Sequence, residues 1–513
     1  MQEFFEQVAK INDSINAFVW VTIGIALLFG TGVIMTVLTK FFQVSHFAHW
    51  WKNTIGSIFK KHVKAHTKEK GSVSQFQALC TALAATVGVG NIAGVAAAIV
   101  IGGPGAIFWM WVAAFFGMMT NYSENVLGVY FRRRNTDGEW SGGAMYYLQD
   151  GLGSHKGCKT VGRILAILFS LFCVLASFGI GNMGQVNKIV ANIENAFRID
   201  ALSGVVLYEG VSLYALILGI VLMLLTALVV IGGLKRIATV AEKIVPVMVV
   251  LFITGALVII GTHYNRIGAA FAAIFSNAFR SNAVWGGVAG VAFKTAITQG
   301  FKRGIFSNEA GLGSSVMVHS NSNVKEPVRQ GMWGIFEVFA DTIIICTMTA
   351  LVVLTSGVID LQTGALTANV TDATMVSAAF ETVFGAFGSK FVALCILLFA
   401  YTTVLGWSHY GSKAVEYLGG VKAVAVYRVI FVLMIMSGAL MTSSLAWDIS
   451  DTFNGLMMIP NLIGVLSCSV IVVKLTNNYV NRILKHRDIE PMLSYDPKIQ
   501  AEMLARLHED DAE

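Results

Sequence analysis

Charged residues are scarce in this chain. Only 13% of its 513 residues are Asp, Glu, Lys or Arg, whereas 55% are hydrophobic, and an average soluble protein carries about 25% charged residues. Half that share cannot cover the surface of a water-soluble globule of this size. The composition therefore excludes a soluble enzyme and a nucleic-acid-binding protein, and it indicates that most of the chain lies in lipid.

Recognisable metal-binding and catalytic motifs are absent as well. The six cysteines form no CxxC pair and have no metal-ligand spacing, so we expect neither structural disulfides nor a zinc site. The chain also lacks a Walker loop, an HExxH motif and a Ser-His-Asp arrangement, which argues against ATP use and covalent catalysis. The first apolar stretch follows an N-terminus that is not basic and ends without a small-residue cleavage site, and we interpret it as a retained span.

The sequence instead contains many long apolar runs. A helix that crosses the hydrocarbon needs about 20 apolar residues. The runs that qualify predict eleven transmembrane helices, at roughly 17–39, 77–101, 104–130, 160–191, 207–231, 238–262, 286–318, 329–356, 385–411, 423–442 and 453–474. The expected fold class is an all-α polytopic membrane protein.

The basic residues predict how these helices are oriented. Of the 36 Lys and Arg residues, 29 fall on one side of the predicted spans, including the runs at 52–70 and 132–134. Three more lie in or at the edge of spans, and only four fall on the other side (Lys10, Arg198, Arg266 and Arg280). Because cytoplasmic loops carry an excess of basic residues, we expect the N-terminus outside and the C-terminus in the cytoplasm of a cell-membrane protein.

Ten of the eleven helices divide into two equal sets. We expect an N-terminal extra helix with a basic loop at 1–76, a first five-helix repeat at 77–262 and an external connection at 263–284. A second repeat follows at 285–474, and a cytoplasmic tail at 475–513. Because five is odd, the two repeats must have opposite orientations, which is typical of several secondary-transporter folds.

The first helix of each predicted repeat is interrupted. Glycine and polar residues crowd the segments 84–94 and 300–315, and each glycine costs about 1 kcal/mol of helix propensity. Unwound backbone at membrane depth must line a cavity or lie within protein. Its free N–H groups can hold a carboxylate, and its free carbonyls can bind a sodium ion. Corresponding breaks in two halves therefore predict a central binding site.

Four motifs together resemble the alanine or glycine:cation symporter family. They are Gly88–Val95 (GVGNIAGV), Ser141–Tyr147 (SGGAMYY), Arg303–Gly313 (RGIFSNEAGLG) and Leu405–Ser408 (LGWS), and they occur in the family's order along nearly the whole chain. The resemblance implies a sodium-coupled importer of alanine, glycine or related small amino acids, with one extra helix before a five-plus-five inverted repeat of the LeuT-like fold. Val89 departs from the family, which often has Thr or Ser there.

The resemblance also implies roles for residues of the first break, since 85–91 matches the unwound helix of neurotransmitter:sodium symporters. The N–H groups of Val89 and Gly90 would hold the substrate carboxylate. The carbonyls of Ala84 and Val87 would bind sodium, together with the Phe399 carbonyl and the hydroxyls of Thr402 and Thr403. Alternatively, these two hydroxyls bond back to their own helix. A second, more speculative sodium site would use the Thr86 carbonyl, Asn91 and Thr295.

The remaining expectations concern the substrate pocket and buried charges. Gln185 is expected to contact substrate or to form an interhelical hydrogen bond, Trp407 to cover the substrate side chain, and Phe306 to form a wall; Asn91 and Thr403 complete the predicted substrate set. Charged residues inside spans are functional candidates by default, and here they are Glu124, Lys188, Lys294, Arg303, Glu309, Glu337 and Asp341. Arg303 and Glu309 flank the second break and could gate it or pair with each other. Glu337 and Asp341 share a helix face, where they could line the ion path or pair with a nearby basic residue.

We expect no cofactor other than sodium as coupling ion, and no obligate protein partner. Glutamine and serine are further candidate substrates. A proton-coupled amino-acid transporter of the same fold is the alternative, with Glu337 or Asp341 as proton acceptor.

Overall fold

A computed structural model of the chain describes residues 2–58, 71–208, 210–279, 283–285, 288–291, 293–361, 366, 370, 374–441 and 445–512. Most of these residues are helical. Some of the basic residues used to predict the topology lie outside the described residues, namely Lys60, Lys61, Lys64, Lys68, Lys70 and Arg280. The same holds for residues 286, 287 and 292 at the start of one predicted span.

The N-terminal segment precedes the two predicted repeats. It comprises helices α1 to α4, with a wider π-helical stretch at Phe18–Gly24 between the first two and a 3-10 turn at Ile55–Ser57 after the fourth. The four helices are Gln2–Ala17, Ile25–Leu38, Phe42–Ser45 and Phe47–Asn53. The span predicted at 17–39 is therefore the second part of a longer helical stretch.

The first predicted repeat contains helices α5 to α13. These are Gln75–Thr86, Val95–Gly102, Gly105–Tyr130, Ala144–Tyr146, Lys159–Phe178, Gly184–Ala196, Asp200–Ser203, Leu213–Val230 and Gly233–Thr262. π-Helical segments occur at Gly90–Gly94, Tyr147–Gly151 and Gly179–Met183, and a 3-10 turn at Leu152–Ser154. Two short antiparallel hairpins pair Arg133–Arg134 (β1) with Trp140–Ser141 (β2) and Val206–Tyr208 (β3) with Val211–Ser212 (β4).

The connection and the second predicted repeat contain helices α14 to α23, and α24 ends the chain. The helices are Ile267–Ala278, Phe293–Asn308, Val316–His319, Pro327–Val338, Thr347–Ser356, Met375–Phe384, Phe387–Gly419, Val421–Ala439, Leu445–Ser467, Ser469–Tyr479 and Pro497–Ala512. The other segments are a 3-10 turn at Tyr264–Arg266, π-helical stretches at Phe339–Cys346 and Val480–Leu484, and a hairpin of Ala283–Trp285 (β5) with Val288–Val291 (β6).

Within the described residues, seven helices are long and apolar enough to cross a membrane, or nine if each of two bent pairs counts as one span. Two predicted spans correspond to helices outside this set. One is α7, Gly105–Tyr130, whose second half carries buried polar residues, and the other is α15, Phe293–Asn308, which has only 16 residues.

Two predicted spans differ from the helices of the structure. The span expected at 207–231 begins at Leu213, because Val206–Tyr208 pairs with Val211–Ser212 in a hairpin. The Ser212 hydroxyl caps the helix by accepting the Ala215 N–H at 3.0 Å. The span expected at 453–474 is not one helix, since the chain bends by 57° between Ser467 and Ser469.

Apolar side chains cover the outside of the helices as well as their core. Leu213–Val230 has only 33% of its most apolar stretch buried, and Leu224 and Leu228 on it are 57% and 66% exposed. Val250 and Val426 on neighbouring helices are also exposed. Large exposed apolar patches are rare on soluble proteins, so this surface is the lipid-facing one.

The longest helix, α20 at Phe387–Gly419, runs through the centre. Its 33 residues span about 50 Å, and its middle is buried on all sides from Phe399 to Ala414, apart from Tyr401. It crosses the first broken helix at Gly406, where an added Cβ would lie 2.6 Å from the Cβ of Ala85. Only glycine permits this approach, and it places Thr402, Thr403 and Trp407 beside the first break.

The β1–β2 hairpin is held by the end of the chain. Trp140 of the hairpin packs with Leu493, Ile499 and Met503, the last two of which lie on α24. The guanidinium of Arg132 lies 4.0 Å from the Trp140 ring centroid and donates to the carbonyls of residues 320, 322 and 324. The C-terminal helix thus completes the packing around the segment that follows the second break.

The N-terminal helix is tied to the second half by one polar cluster. Asn16 donates to the Asp451 carboxylate at 3.0 Å, and Trp20 donates to the Asp451 carbonyl at 3.2 Å. Lys302 of α15 forms an ion pair with the same carboxylate at 3.0 Å, with side chains only 21% and 9% exposed. The extra helix therefore holds α15 and α22 together.

Replacing Asp451 by Ala should destabilise the protein. The substitution leaves the ammonium of Lys302 and the amide of Asn16 without their shared acceptor, which costs about 2–3 kcal/mol. The midpoint of thermal unfolding in detergent should fall clearly. Removal of Asp200, whose ion pair with Arg198 is exposed, is the control and should change stability by less than about 0.5 kcal/mol. Equal effects of D451A and D200A would show that the Asp451 cluster does not hold the N-terminal helix, α15 and α22 together.

Candidate substrate and ion site

The first break lies between Thr86 and Gly90. Helix α5 starts with a capping box in which Ser74 and Gln77 exchange side-chain and backbone hydrogen bonds, both at 3.1 Å. After Thr86 the backbone turns out of the helix, and the two parts meet at 53°. The freed N–H of Gly88 donates to Oδ1 of Asn91 at 2.9 Å. The interruption predicted from the glycines is confirmed, and the Asn91 side chain provides the hydrogen-bond partner for the freed N–H of Gly88.

The second break covers residues 309–315, between α15 and α16. Glu309 has φ +56°, in the left-handed region that non-glycine residues seldom adopt. The freed N–H of Gly313 donates to Glu124 at 3.2 Å, and the freed carbonyl of Gly311 accepts from Asn461 at 2.8 Å. This interruption is confirmed too, and side chains of two other helices replace the missing helical hydrogen bonds.

The two broken helices touch each other beside their breaks. A Cβ added to Gly90 would lie 3.1 Å from the ring of Phe306 and 3.6 Å from the Cα of Ser307. Any larger residue at position 90 would have to displace that ring. The glycine of the first motif is therefore explained by the close approach of the second motif.

A small cavity lies between the breaks. Its volume is about 20 Å³, which is enough for roughly one water molecule. It is lined by eleven residues: Ala85, Thr86, Gly88, Gly90, Ile180, Gln185, Phe306, Glu309, Thr403, Trp407 and Asn454. Gly90, Gln185, Phe306, Thr403 and Trp407 were predicted as substrate residues, so the structure brings most of that set together. We name this space the inner cavity.

A larger cavity of about 450 Å³ adjoins the inner one, and we name it the outer cavity. Both share Gly90 and Phe306, and Val89 lines only the outer one. Lys188 and Arg303, which the sequence marked as charged residues within spans, also line the outer cavity. Phe306 therefore separates the two spaces.

Gln185 has an unpaired oxygen beside the inner cavity. The side chain is buried, and its amide nitrogen donates to the Ile180 carbonyl of its own chain segment at 3.1 Å. Its Oε1 has no hydrogen-bond partner among the described residues. This oxygen therefore does not form the alternative interhelical hydrogen bond with any described residue. It remains available as an acceptor for a ligand.

Trp407 and Glu309 form one wall of the inner cavity. The indole N–H of Trp407 donates to Oε1 of Glu309 at 2.9 Å, and the hydroxyl of Ser314 donates to Oε2 at 2.5 Å. Glu309 therefore holds the tryptophan ring in place. This contact could not be predicted from the sequence, because residues 309 and 407 lie on separate motifs.

Thr402 and Thr403 both bond back to their own helix. Their hydroxyls donate to the Phe399 carbonyl at 2.9 and 3.0 Å, as the alternative interpretation expects. The oxygen of Thr403 nevertheless faces the first break, since it would lie 2.6 Å from a Cβ on Gly88. Ala84 and Val87 are buried on the broken helix next to it. The role of this set in binding sodium stays a prediction.

The speculative second ion site needs a correction. Thr295 lies in the first turn of α15, twelve residues before Ser307 and therefore about 18 Å from it along the helix. Ser307 and Asn91 instead meet at Asp341, which accepts from Asn91 at 2.6 Å and from Ser307 at 2.8 Å. Thr295 is too far away to share an ion with Asn91.

Asp341 contacts both broken helices, and the sequence interpretation named it only as a functional candidate on its own helix. It is fully buried, and the Thr342 hydroxyl is its third donor, at 2.8 Å. The available signal was a carboxylate inside an apolar span, which marked Asp341 as a functional candidate without assigning it to either break. Only the fold shows that it links Asn91, directly after the first break, to Ser307, just before the second.

Comparison with known proteins gives the family. The sequence model of the sodium:alanine symporter family matches residues 5–492. The sodium/alanine symporter AgcS of Methanococcus maripaludis is 43% identical over 474 residues, which cover 92% of this chain and 97% of the relative. The probable sodium/glutamine symporter GlnT of Bacillus subtilis is 34% identical and covers 94% of this chain and 92% of its own.

A solved structure shares the architecture. The crystal structure of MhsT in complex with L-phenylalanine matches with a TM-score of 0.51 and 13% identity, over 79% of this chain and 98% of that chain. The fold is therefore that of LeuT-like transporters, as expected, with an extra N-terminal helix before the five-plus-five arrangement.

Removal of the Asp341 carboxylate should separate the two breaks. In Asp341→Ala the amide of Asn91 and the hydroxyls of Ser307 and Thr342 lose a buried acceptor, at about 1–3 kcal/mol for each donor left unpaired. We expect a large fall in the thermal unfolding midpoint in detergent, and a smaller one for D341N, which keeps one acceptor oxygen. D137A, at an exposed loop position, should have no effect. If D341A is as stable as D137A, the contact does not hold the breaks together.

Proposed function

Because the chain belongs to the sodium:alanine symporter family, it is an amino-acid transporter and not an enzyme, and we propose that it couples sodium entry to the uptake of small neutral amino acids by alternating access. The observation that carries the proposal is the inner cavity, enclosed where two broken helices meet at Gly90 and Phe306. In the proposed orientation the N-terminus is outside the cell membrane and the C-terminus is cytoplasmic.

The polar groups around the inner cavity suit an amino-acid zwitterion. Val89 and Gly90 stand at the start of the outer half of the broken helix, where N–H groups lack helical partners and attract a carboxylate. The unpaired oxygen of Gln185 and the carboxylate of Glu309 offer acceptors for the ammonium group. Positive and negative ends of the substrate would each meet groups of opposite polarity.

The size of the inner cavity favours a short side chain. A space of about 20 Å³ holds about one water, so even alanine enters only when Phe306 moves. Phe306 lines both cavities, and its movement would join the inner space to the outer one of about 450 Å³. Trp407, held by Glu309, would then cover the side chain. Alanine and glycine fit this arrangement best, and glutamine or serine would need more room.

Two clusters of oxygen atoms are the proposed sodium sites. The first consists of the carbonyls of Ala84, Val87 and Phe399 with the hydroxyls of Thr402 and Thr403. The second consists of Asn91 and Asp341, with the Thr86 carbonyl and Ser307. Hard oxygen ligands suit an alkali-metal ion, and only the second cluster contains a carboxylate, whose buried charge a cation would neutralise.

Uptake by proteoliposomes tests the function. Purified protein should accumulate labelled alanine when sodium is high outside, because one sodium ion carries about 2.3 kcal/mol for each 100 mV of membrane potential. A panel of labelled amino acids should rank alanine and glycine above larger ones. Equal uptake in choline buffer with only a pH gradient would contradict sodium coupling and favour the proton-coupled alternative.

Thr403→Ala should weaken sodium binding. Loss of one hydroxyl ligand should raise the sodium concentration for half-maximal alanine uptake about tenfold, which corresponds to about 1.4 kcal/mol. T254A is the matched control, because Thr254 also bonds back to its own helix, at 2.7 Å, but at an exposed position. A sodium dependence unchanged by T403A would remove Thr403 from the ion site.

A further inference from the structure

Glu337 is a fully buried carboxylate outside the proposed ion sites. It lies on α17 one turn before Asp341, and its Oε2 accepts from Nε2 of His319 at 3.0 Å and from Asn121 at 3.2 Å. Its other oxygen, Oε1, has no hydrogen-bond partner among the described residues. Asn125 on the facing helix also has an unpaired buried oxygen. Unsatisfied buried acceptors of this kind are costly.

The hydrogen bonds around His319 give its protonation state. The Ser322 hydroxyl donates to Oε1 of Gln330 at 3.0 Å, and Nε2 of Gln330 lies 2.5 Å from Nδ1 of His319. With this amide orientation, Nδ1 accepts and Nε2 carries the only ring proton, which it donates to Glu337. The imidazole is then neutral, and the pair has a net charge of −1.

One added proton can be accommodated without disrupting the network. If the Gln330 amide turns over, its oxygen accepts from a protonated Nδ1 of His319 and its nitrogen donates to the Ser322 oxygen. Every member keeps a partner, and the buried pair becomes neutral overall. A proton needs no additional volume, whereas a metal ion at Oε1 would need a cavity with several oxygen ligands.

The groups that face this pair are mostly acidic or neutral, so they make the binding of a positive charge to the pair more favourable. Helix α7 contributes Asn121, Asn125 and Glu124, and the second break contributes Glu309. The π-helical stretch that continues α17 contributes Asp341, and α20 contributes the hydroxyl of Tyr410. Three of these are carboxylates. Within the described residues, no lysine or arginine forms an ion pair with Glu337.

We propose that the His319–Glu337 pair is a proton-binding site that sets the transport rate. His319 ends the short helix after the second break, and Glu337 shares a helix with Asp341, which bonds to the first break. A change in charge at this pair therefore acts on both broken helices. The inference rests on the proposed function, but the proton does not have to be transported.

Alanine exchange at equal pH and equal sodium on both sides tests the site without a proton gradient. Wild-type exchange should change about threefold or more between about pH 5.5 and about pH 8.5, because the bound proton changes the charge of the buried pair. H319Q, which retains an amide donor for Glu337, and E337Q, which removes the charge, should both flatten the profile. H409Q is the matched control, because His409 is equally buried on α20, and it should keep the wild-type profile.

Thermal stability in detergent provides a readout that does not require transport. Proton binding neutralises the buried pair, so the stability of wild type relative to H319Q should be greatest at low pH and should fall as the pH rises. This pH dependence without sodium-driven uptake would mean that the proton site stands and the proposed function fails.

Three results would overturn the proton site. They are a flat wild-type profile, wild-type profiles in both H319Q and E337Q, and an H409Q profile as flat as theirs. A wild-type stability that depends on sodium concentration at fixed pH, and that E337Q abolishes while H319Q retains it, would assign the site to a metal ion and would also overturn the proposal.

Discussion

Peptide groups that leave a helix inside a membrane must find new hydrogen-bond partners, and this constraint explains three buried polar side chains beside the breaks. Asn91 serves Gly88, Glu124 serves Gly313, and Asn461 serves Gly311. Each partner costs free energy when it is buried alone and stabilises the structure when it is bonded. The breaks and the polar side chains on the neighbouring helices therefore depend on each other, and neither could be kept in lipid without the other.

Asp341 connects the hydrogen-bond networks of the two broken helices. Its carboxylate accepts from Asn91 beside the first break and from Ser307 beside the second, while the glycine at position 90 lets the two broken helices touch. The inner cavity is therefore bounded by two segments that are bonded to the same side chain. Movement of either segment changes the surroundings of the other, which is what a binding site between two moving parts needs.

The family resemblance supplied five of the eleven residues that line the inner cavity as substrate residues, whereas composition and spacing were sufficient to predict the membrane class and both helix breaks. These features depend on local sequence, because glycine and polar residues within an apolar run act on the helix that contains them. Thr295 and Asp341 show the limit. Membership of a site built from separate helices depends on their relative height and rotation, and no residue spacing within one helix contains this information.

The same limit applies to helix ends. The hairpin at 206–212 reads as part of an apolar run, since Val and Leu suit strands and spans alike. The Ser212 cap marks where the helix starts, but a single serine before an apolar run is too common to be decisive. The contact of Trp407 with Glu309 was hidden for another reason, because it joins two motifs almost a hundred residues apart.

The packing of Trp140 has a consequence for biosynthesis. Its apolar partners Leu493, Ile499 and Met503 follow every predicted span in the sequence, so the ribosome makes them later than all of these spans. Until they are made, the hairpin after the third predicted span lacks its apolar cover. A chain that is released just before residue 493 would therefore contain all of the predicted spans but would leave Trp140 without these packing partners.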